Sequence, residues 1–545
     1  MATIARLVGG AGTGKTTELM RIMGNVLGEG LDPMQIGFVS FTRAARREAT
    51  ERASELFGTP VVQLEQDGWY RTLHSVCFKC LGLRKSDVLG DDAEGNRWIE
   101  AAIDENLGKA AGREVVEESN FEVSTDSGTA LLLWHAARNR LVGLREVHRE
   151  AAALSDSVPS FETCRRVVTS YESAKRVDHR MDFTDILCAF AGVNYVDYRG
   201  WSEVSPEGTV PNLPVWFFDE QQDTSALLDR VCHRLIENAK WVYVVGDPFQ
   251  SIYGWAGMDG SLFQKWEVDK QRVLPKTYRN PKAILDFAEN ILRSCTDYWD
   301  RDIKPADHDG AVSIEQMTPS LIDVVDPSES WLLIARTNYH ANRLARRLSD
   351  AGKPYKPASR KGPLSNKRLK FCDSVFSLFK DMPIDSEELA NLIDMMPAKF
   401  LLRGKKAQFK AGNIELDPKG LFKLPEIVNL ELMPESTASL ISAGDVAHVE
   451  ESLGGYFTGR LRYGYDAIHD PKVRVGTIHS VKGQEADNVL WLTSANKTIH
   501  SAQQHERLRN EEHRVAYVAA TRARKRLLMA VETKDRFRYQ PQLPR

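Results

Sequence analysis

The stretch that most constrains this chain is Gly9-Gly10-Ala11-Gly12-Thr13-Gly14-Lys15-Thr16, which follows a short apolar run at residues 4–8 and precedes Leu19, Ile22, Met23 and Val26 at helical spacing. Strand, glycine-rich loop and helix in that order form a phosphate cradle. The glycines let backbone N–H groups turn inward, Lys15 neutralises phosphate oxygens, and the Thr16 hydroxyl at the helix N-terminus suits Mg²⁺. A phosphate loop of this kind belongs to a parallel α/β sheet and needs an acidic strand end beside it. Val215-Trp216-Phe217-Phe218 is an unbroken apolar run of the kind that fills a central parallel strand, and it ends in Asp219-Glu220-Gln221-Gln222-Asp223. Asp219 is placed to hold Mg²⁺ through water and Glu220 to orient or deprotonate an attacking water. A third strand, residues 241–245, runs into Gly246-Asp247-Pro248-Phe249-Gln250-Ser251-Ile252-Tyr253-Gly254-Trp255. That loop holds a polar group, Gln250, able to sense a terminal phosphate, and two flat rings, Tyr253 and Trp255, able to stack on bases.

At 545 residues the chain exceeds one compact core, and its 42% hydrophobic and 27% charged residues match a soluble, multi-domain protein. No run approaches the roughly 18 apolar residues that a membrane span needs. The phosphate loop starts too close to Met1 for a cleaved leader, so a cytoplasmic location is expected. A net charge of −3 excludes global attraction to nucleic acid and leaves local basic runs as the candidates: Arg43/Arg46/Arg47, residues 360–370 and residues 399–410. Seven cysteines, an odd number, argue for reduced thiols. Cys77 and Cys80 form a single CxxC without a second ligand pair, so they are expected at i and i+3 of a buried helix and not on a metal.

In chain order the motifs resemble those of the UvrD/Rep/PcrA family of superfamily 1A helicases. Phe38-Val39-Ser40-Phe41-Thr42-Arg43 resembles motif Ia and Thr72-Leu73-His74-Ser75 motif Ib, which implies that Phe41, Thr42 and His74 lie on the DNA path. Asp219 to Asp223 is similar to motif II. The Gly246 to Trp255 loop is similar to motif III, with the base-stacking tryptophan falling on Trp255. Lys276-Thr277-Tyr278-Arg279-Asn280 resembles motif IV, which implies Tyr278 against adenine and Arg279 near the γ-phosphate. Val475 to Glu485 resembles motif V, implying Gly483 and Glu485 at the nucleotide, with Glu485 at the ribose, and Thr477 and His479 toward DNA. Ala516-Tyr517-Val518-Ala519-Ala520-Thr521-Arg522-Ala523 resembles motif VI and makes Arg522 the second arginine finger. Guanidinium groups delivered across a closing cleft stabilise the transferring phosphoryl group only when the cleft is shut, which ties hydrolysis to motion.

The resemblance implies two RecA-like P-loop lobes with parallel sheets, each carrying a mainly helical insertion. Expected boundaries are 1–83 and 181–275 for lobe 1A, 84–180 for insertion 1B, 276–380 and 470–545 for lobe 2A, and 381–469 for a reduced 2B-like insertion. It also implies ATP and Mg²⁺ as cofactors, and 3′ to 5′ movement on single-stranded DNA and at junctions with duplex. Activation by an accessory protein or by self-association stays open. The chain departs from the family in three respects. Only eight residues precede Gly9, leaving no room for the family's glutamine motif. Thr17 stands where arginine is common, so adenine is expected mainly on Tyr278. The segment after motif VI is short, so no fused nuclease domain is expected. The compact layout suggests a phage or mobile-element source. Two other readings compete: a translocase that strips proteins from single strands with little unwinding, and an ATP-gated nucleic-acid-binding protein. The full set of Lys15, Asp219, Glu220, Gln250, Arg279 and Arg522 weighs against the latter.

Overall fold

The structure, a computed structural model, describes residues 2–40, 43–90, 93–103, 126–155, 157–358, 366–414, 416–449, 451–532 and 537–539. By packing, the chain divides into two units, Met1–Val312 with Ala495–Lys525 and Phe537–Arg545, and Ser313–Ser494 with Arg526–Arg536.

The first unit is built on a six-stranded sheet in the order Trp69–Arg71, Ile36–Val39, Val215–Phe218, Trp241–Gly246, Thr3–Val8 and Lys270–Val273. Every neighbouring pair is parallel. Val215, Trp216, Phe217 and Phe218 are all buried, as a strand covered on both faces requires. Burying each of these large side chains contributes about 1.5–3 kcal/mol, an upper figure for a partly collapsed unfolded chain. Register carries the chemistry: Val8 pairs with Gly246 and Phe218 with Val244, so the phosphate loop, the acidic loop and the Gly246 loop all leave the same end of the sheet. That is the end where parallel α/β sheets build their sites.

Beside this sheet, helices Asp126–Arg140, Leu144–Leu154 and Phe161–Val177, with part of Ala93–Ala102, share a core that includes Ile99, Leu131, Trp134, Val167 and Tyr171. Below it, Arg138 and Lys175 bind the buried Asp182 carboxylate at 2.6 and 3.0 Å, and both also reach Asp185. Asp182 caps helix Phe183–Ala191 in a capping box, so the ion cluster and the helix start stabilise each other.

Packing does not divide the chain at the 275 boundary expected from sequence. Residues 276–312 and 495–525 fold onto the phosphate-loop sheet. The Thr277 hydroxyl donates to Ala11 O at 2.7 Å, Tyr278 N to Gly12 O at 2.8 Å, and Asn280 Nδ2 to Ala523 O at 2.8 Å. These buried polar groups would be left unsatisfied if the segment belonged elsewhere.

The second unit carries the other six-stranded sheet, in the order Ala311–Gln316, Ala523–Val531, Ala486–Leu492, Trp331–Ala335, Val473–Thr477 and Lys356–Pro357. Its central pairs are parallel. The chain is therefore mixed α/β with two large, mainly parallel sheets, as two RecA-like lobes require. Residues 366–469 form a helical body around Phe371, Val375, Leu389, Leu392, Met433 and Phe457. Asp385 and Glu388 make a capping box at helix Ser386–Met395. Helix Asn366–Phe379, expected in the lobe, packs into this body because Phe371, Cys372 and Val375 supply part of its core.

Candidate functional site

Residues 9–16 leave strand Thr3–Val8 and enter helix Lys15–Gly28. Gly12 sits at φ +69, and a Cβ there would lie 2.3 Å from the Arg279 side chain, so both the turn and the approach of Arg279 require glycine. At the helix start the Thr16 hydroxyl donates to Asp219 Oδ2 at 3.2 Å. Lys15 Nζ lies 3.9 Å from Glu220 Oε1. Burial, helped by the charge of Glu220 and opposed by Lys15, pushes the Asp219 carboxyl up to about 7. Glu220 holds a left-handed φ of 53°, a conformation that costs a non-glycine residue about 1 kcal/mol or more and is typical of functional turns.

Behind these residues lies a buried polar network. Gln222 Nε2 donates to Glu220 Oε2, and Gln222 Oε1 accepts from Asp247 N at 2.9 Å. Gln250 donates to Asp247 Oδ2 at 2.8 Å, and Arg301 to Asp247 Oδ1 at 2.6 Å. The Tyr517 hydroxyl donates to Asp247 Oδ2 at 3.3 Å and accepts from Ala11 N at 3.3 Å. Burial works against the Arg301 charge, but Asp247 and Glu289 outweigh it and hold the guanidinium above its ordinary range. Burial also pushes the Tyr517 hydroxyl up, keeping it a donor. Removing one member of a buried pair such as Asp247–Arg301 strands the other, at a cost of about 3–5 kcal/mol. The network joins the phosphate loop to Gln250, in the loop bearing Tyr253 and Trp255. These two rings are half-buried and meet edge to face at 6.5 Å.

Tyr278 stands 68% exposed, its ring about 3.9 Å from where a Gly14 Cβ would be, so it borders the phosphate loop with an open aromatic face. Thr17 accepts from Arg52 at 3.0 Å. Arg279 reaches Thr521 O at 3.4 Å, and the buried Arg522 is folded back, donating through Nε to Val518 O at 3.0 Å. Both arginines lie in the phosphate-loop unit. The structure thus brings together Gly9, Gly10, Ala11, Gly12, Thr13, Gly14, Lys15, Thr16, Thr17, Asp219, Glu220, Gln250, Tyr278 and Arg279 around one loop.

Two models of the same helicase family match this chain. That of the UvrD/REP helicase N-terminal domain covers residues 2–271, and that of the UvrD-like helicase C-terminal domain covers residues 461–534. The chain belongs to the UvrD/Rep helicase family. Among similar proteins are those called ATP-dependent DNA helicase PcrA from Bacillus subtilis, 25% identical over 308 residues, and from Staphylococcus aureus, 27% identical over 298 residues. Each match takes in 53% of this chain. The chain spans little more than a third of those relatives, 37% and 38% of their lengths.

Other residues singled out by the UvrD/Rep resemblance are placed differently. His74, on helix Leu73–Cys80, packs edge to face on Phe183 at 6.1 Å, and burial pulls its imidazole down to about 4, with Asp182 opposing. Phe41 and Thr42 lie outside the described residues. Thr477 and His479 are buried in the second unit, at 1% and 4% exposure. Gly483, at φ +84, and Glu485 are also in that unit, where Arg474 donates to Glu485 O. Of the basic run after 398, Lys405 pairs with Glu431, Lys406 donates to Met396 O and Lys410 pairs with Asp394. Arg46 and Arg47 pair with Glu65 and Glu51. Cys77 is buried in its helix and all seven cysteines are free. No helix among the described residues is long and apolar enough to cross a membrane.

Sequence reasoning assigns no role to Gln222 or Arg301, which the structure puts in this network. Gln222 stands in the acidic motif as one of two adjacent glutamines, which spacing alone does not distinguish. Arg301 sits between Asp300 and Asp302, which reads as a solvated charge run, and only its 3% exposure separates it from one.

Proposed function

We propose that this chain is an ATP-dependent DNA helicase that moves 3′ to 5′ along single-stranded DNA and opens duplex at junctions. The observation that carries the reading is the continuous buried network from Ala11 through Tyr517 and Asp247 to Gln250, in the loop that ends at Trp255. A hydrolase with no nucleic-acid substrate has no need of aromatic faces wired to its phosphate loop.

The backbone N–H groups of the phosphate loop that are not taken up within the protein and the Lys15 ammonium bind the triphosphate, and Tyr278 stacks on the base. Mg²⁺ fits the donor set, because the Thr16 hydroxyl and Asp219 carboxylate are hard oxygens that already converge. The ion neutralises charge on the terminal phosphates. Glu220, oriented by Gln222, positions the attacking water and takes its proton. Arg279 and Arg522 supply positive charge to the transferring group, which asks Arg522 to unfold from Val518 O. Gln250 reports on the γ-phosphate through Asp247, and Trp255, Tyr253 and His74 hold bases. Single-stranded DNA and its junctions with duplex are the partners in this reading, and the cytoplasm is the location.

The test is ATP-dependent displacement of a labelled strand from duplexes bearing either a 3′ or a 5′ single-stranded tail. Opening from the 3′ tail alone is expected. Preference for the 5′ tail overturns the polarity. Failure of both, with ATPase still stimulated by single strands, replaces this reading with the translocase.

A further inference from the structure

Helix Glu506–Ala520, within the phosphate-loop unit, meets two of that unit's loops at separate places. Toward its end, Tyr517 bridges Ala11 N and Asp247 Oδ2, both at 3.3 Å. Six residues earlier, about 9 Å along the axis at 1.5 Å per residue, Glu511 Oε1 accepts the Gly254 N–H at 3.0 Å. Gly254 is the residue between Tyr253 and Trp255. A Cβ there would lie 2.4 Å from Glu511 Oε2 and 2.8 Å from its carboxyl carbon, so glycine is what lets the carboxylate close on this amide. The helix is held beside each contact: Asn510 Nδ2, next to Glu511, donates to the Thr296 hydroxyl at 2.7 Å, and the Tyr517 ring lies under the Arg301 guanidinium at 5.3 Å.

One stiff element thus grips a main-chain amide of the phosphate loop at one end and a main-chain amide of the aromatic loop at the other. We infer that Glu511 and Tyr517 are positioning residues through which this helix couples the nucleotide site to the Tyr253–Trp255 platform, alongside the direct Asp247–Gln250 route. The inference rests on the reading of that platform as a DNA-binding element. Neither side chain touches the reacting atoms. A displacement of the phosphate loop is carried along the helix to the amide that sets the pitch of the two rings, and the reverse holds equally, because coupling between sites is reciprocal. A hydrogen bond to a charged acceptor corresponds to roughly a tenfold effect or more, and losing the Glu511 contact is expected to lower DNA-stimulated turnover by that order.

The experiment measures kcat and KM for ATP, with and without saturating single-stranded DNA, in the full chain and in Glu511→Ala, Glu511→Gln, Gly254→Ala and the Gly254→Ala/Glu511→Ala pair. Glu511→Ala is expected to lose about tenfold in DNA-stimulated kcat while its DNA-independent ATPase and its KM for ATP stay within about twofold. Glu511→Gln keeps an oxygen that accepts the same N–H and is expected to retain stimulation. Gly254→Ala, which drives the carboxylate off the amide from the opposite side, is expected to match Glu511→Ala. The double variant should be no worse than either single one, since both break one contact. Full stimulation in Glu511→Ala, equal losses in the Ala and Gln variants, or losses that multiply in the double variant overturn the coupling role. An unaltered chain that hydrolyses ATP without any response to DNA removes the functional reading, and this inference with it.

Discussion

The Thr16 hydroxyl and the Asp219 carboxylate, 203 residues apart in sequence, meet at 3.2 Å at the end of a parallel sheet where their two strands are separated only by Trp241–Gly246. Hard oxygens converging at a helix N-terminus beside a phosphate loop define where a divalent cation belongs. Asp219→Ala is expected to raise the Mg²⁺ concentration for half-maximal ATP turnover by about tenfold or more, with Thr16→Ala weaker in the same direction. A magnesium titration of the ATPase that leaves Asp219→Ala unchanged would remove these two residues from the metal site.

Glu220 hangs from a left-handed turn, between Lys15 and Gln222. Replacing its carboxylate by an amide keeps the shape and removes the base. Glu220→Gln should bind ATP with near-normal affinity and lose about 10²- to 10⁴-fold in turnover. Equilibrium binding of a fluorescent ATP analogue together with steady-state hydrolysis separates the two effects. Normal turnover would mean that another group handles the water.

Tyr278 offers an open ring at the rim of the phosphate loop. Stacking on one base is worth about 1–3 kcal/mol, so Tyr278→Ala is expected to raise KM for ATP about five- to a hundredfold with kcat little changed, and Tyr278→Phe to remain near the parent. Inorganic tripolyphosphate, which has no base, serves as the control competitor. Its inhibition constant should not move in Tyr278→Ala, and an equal loss for both ligands would point to a disturbed phosphate loop instead.

His74 gives a pH-dependent expectation. Its folded value, about 4, lies below the ordinary 6.5, so between those limits the unfolded chain binds more protons than the folded one. Its contribution to stability is therefore complete above about 6.5 and is lost as pH falls toward about 4. In His74→Gln, the fall in denaturation midpoint between pH 6.5 and 4.5 should be shallower than in the parent. Being neutral, His74 also adds no phosphate ion pair, so the variant should weaken single-strand binding without changing its salt slope. A reduced slope would show the ring to be charged on DNA.

The local elements were legible in the sequence because short-range rules determine them. The strand, loop and helix of residues 3–28 follow from an apolar run, glycines and a 3.6-residue period. Strand Val215–Phe218 and the Asp385–Glu388 capping box lie where pattern and capping chemistry put them. The third expected strand, residues 241–245, runs one residue further, to Gly246. Residues 9–16, Asp219, Glu220 and Gln250, legible from motif spacing, lie around one loop with Tyr278 and Arg279, which the family resemblance implies.

What only the tertiary structure decided concerns contacts between distant residues. Arg301 reads as one member of a charged run, yet it is buried against Asp247 and Tyr517. Thr477 and His479, expected to face DNA, are buried, and Arg522, expected as a finger, donates to Val518 O of the helix that precedes it. Residues 276–312 and 495–525 join the phosphate-loop unit through bonds spanning more than 200 positions, such as Thr277 to Ala11 and Tyr517 to Ala11. A sequence specifies the period, caps and turns of each segment, because those interactions act within a few residues. Which buried donor finds which acceptor depends on how the sheets assemble, since the same polar side chain is a surface group or a buried bridge according to what packs over it.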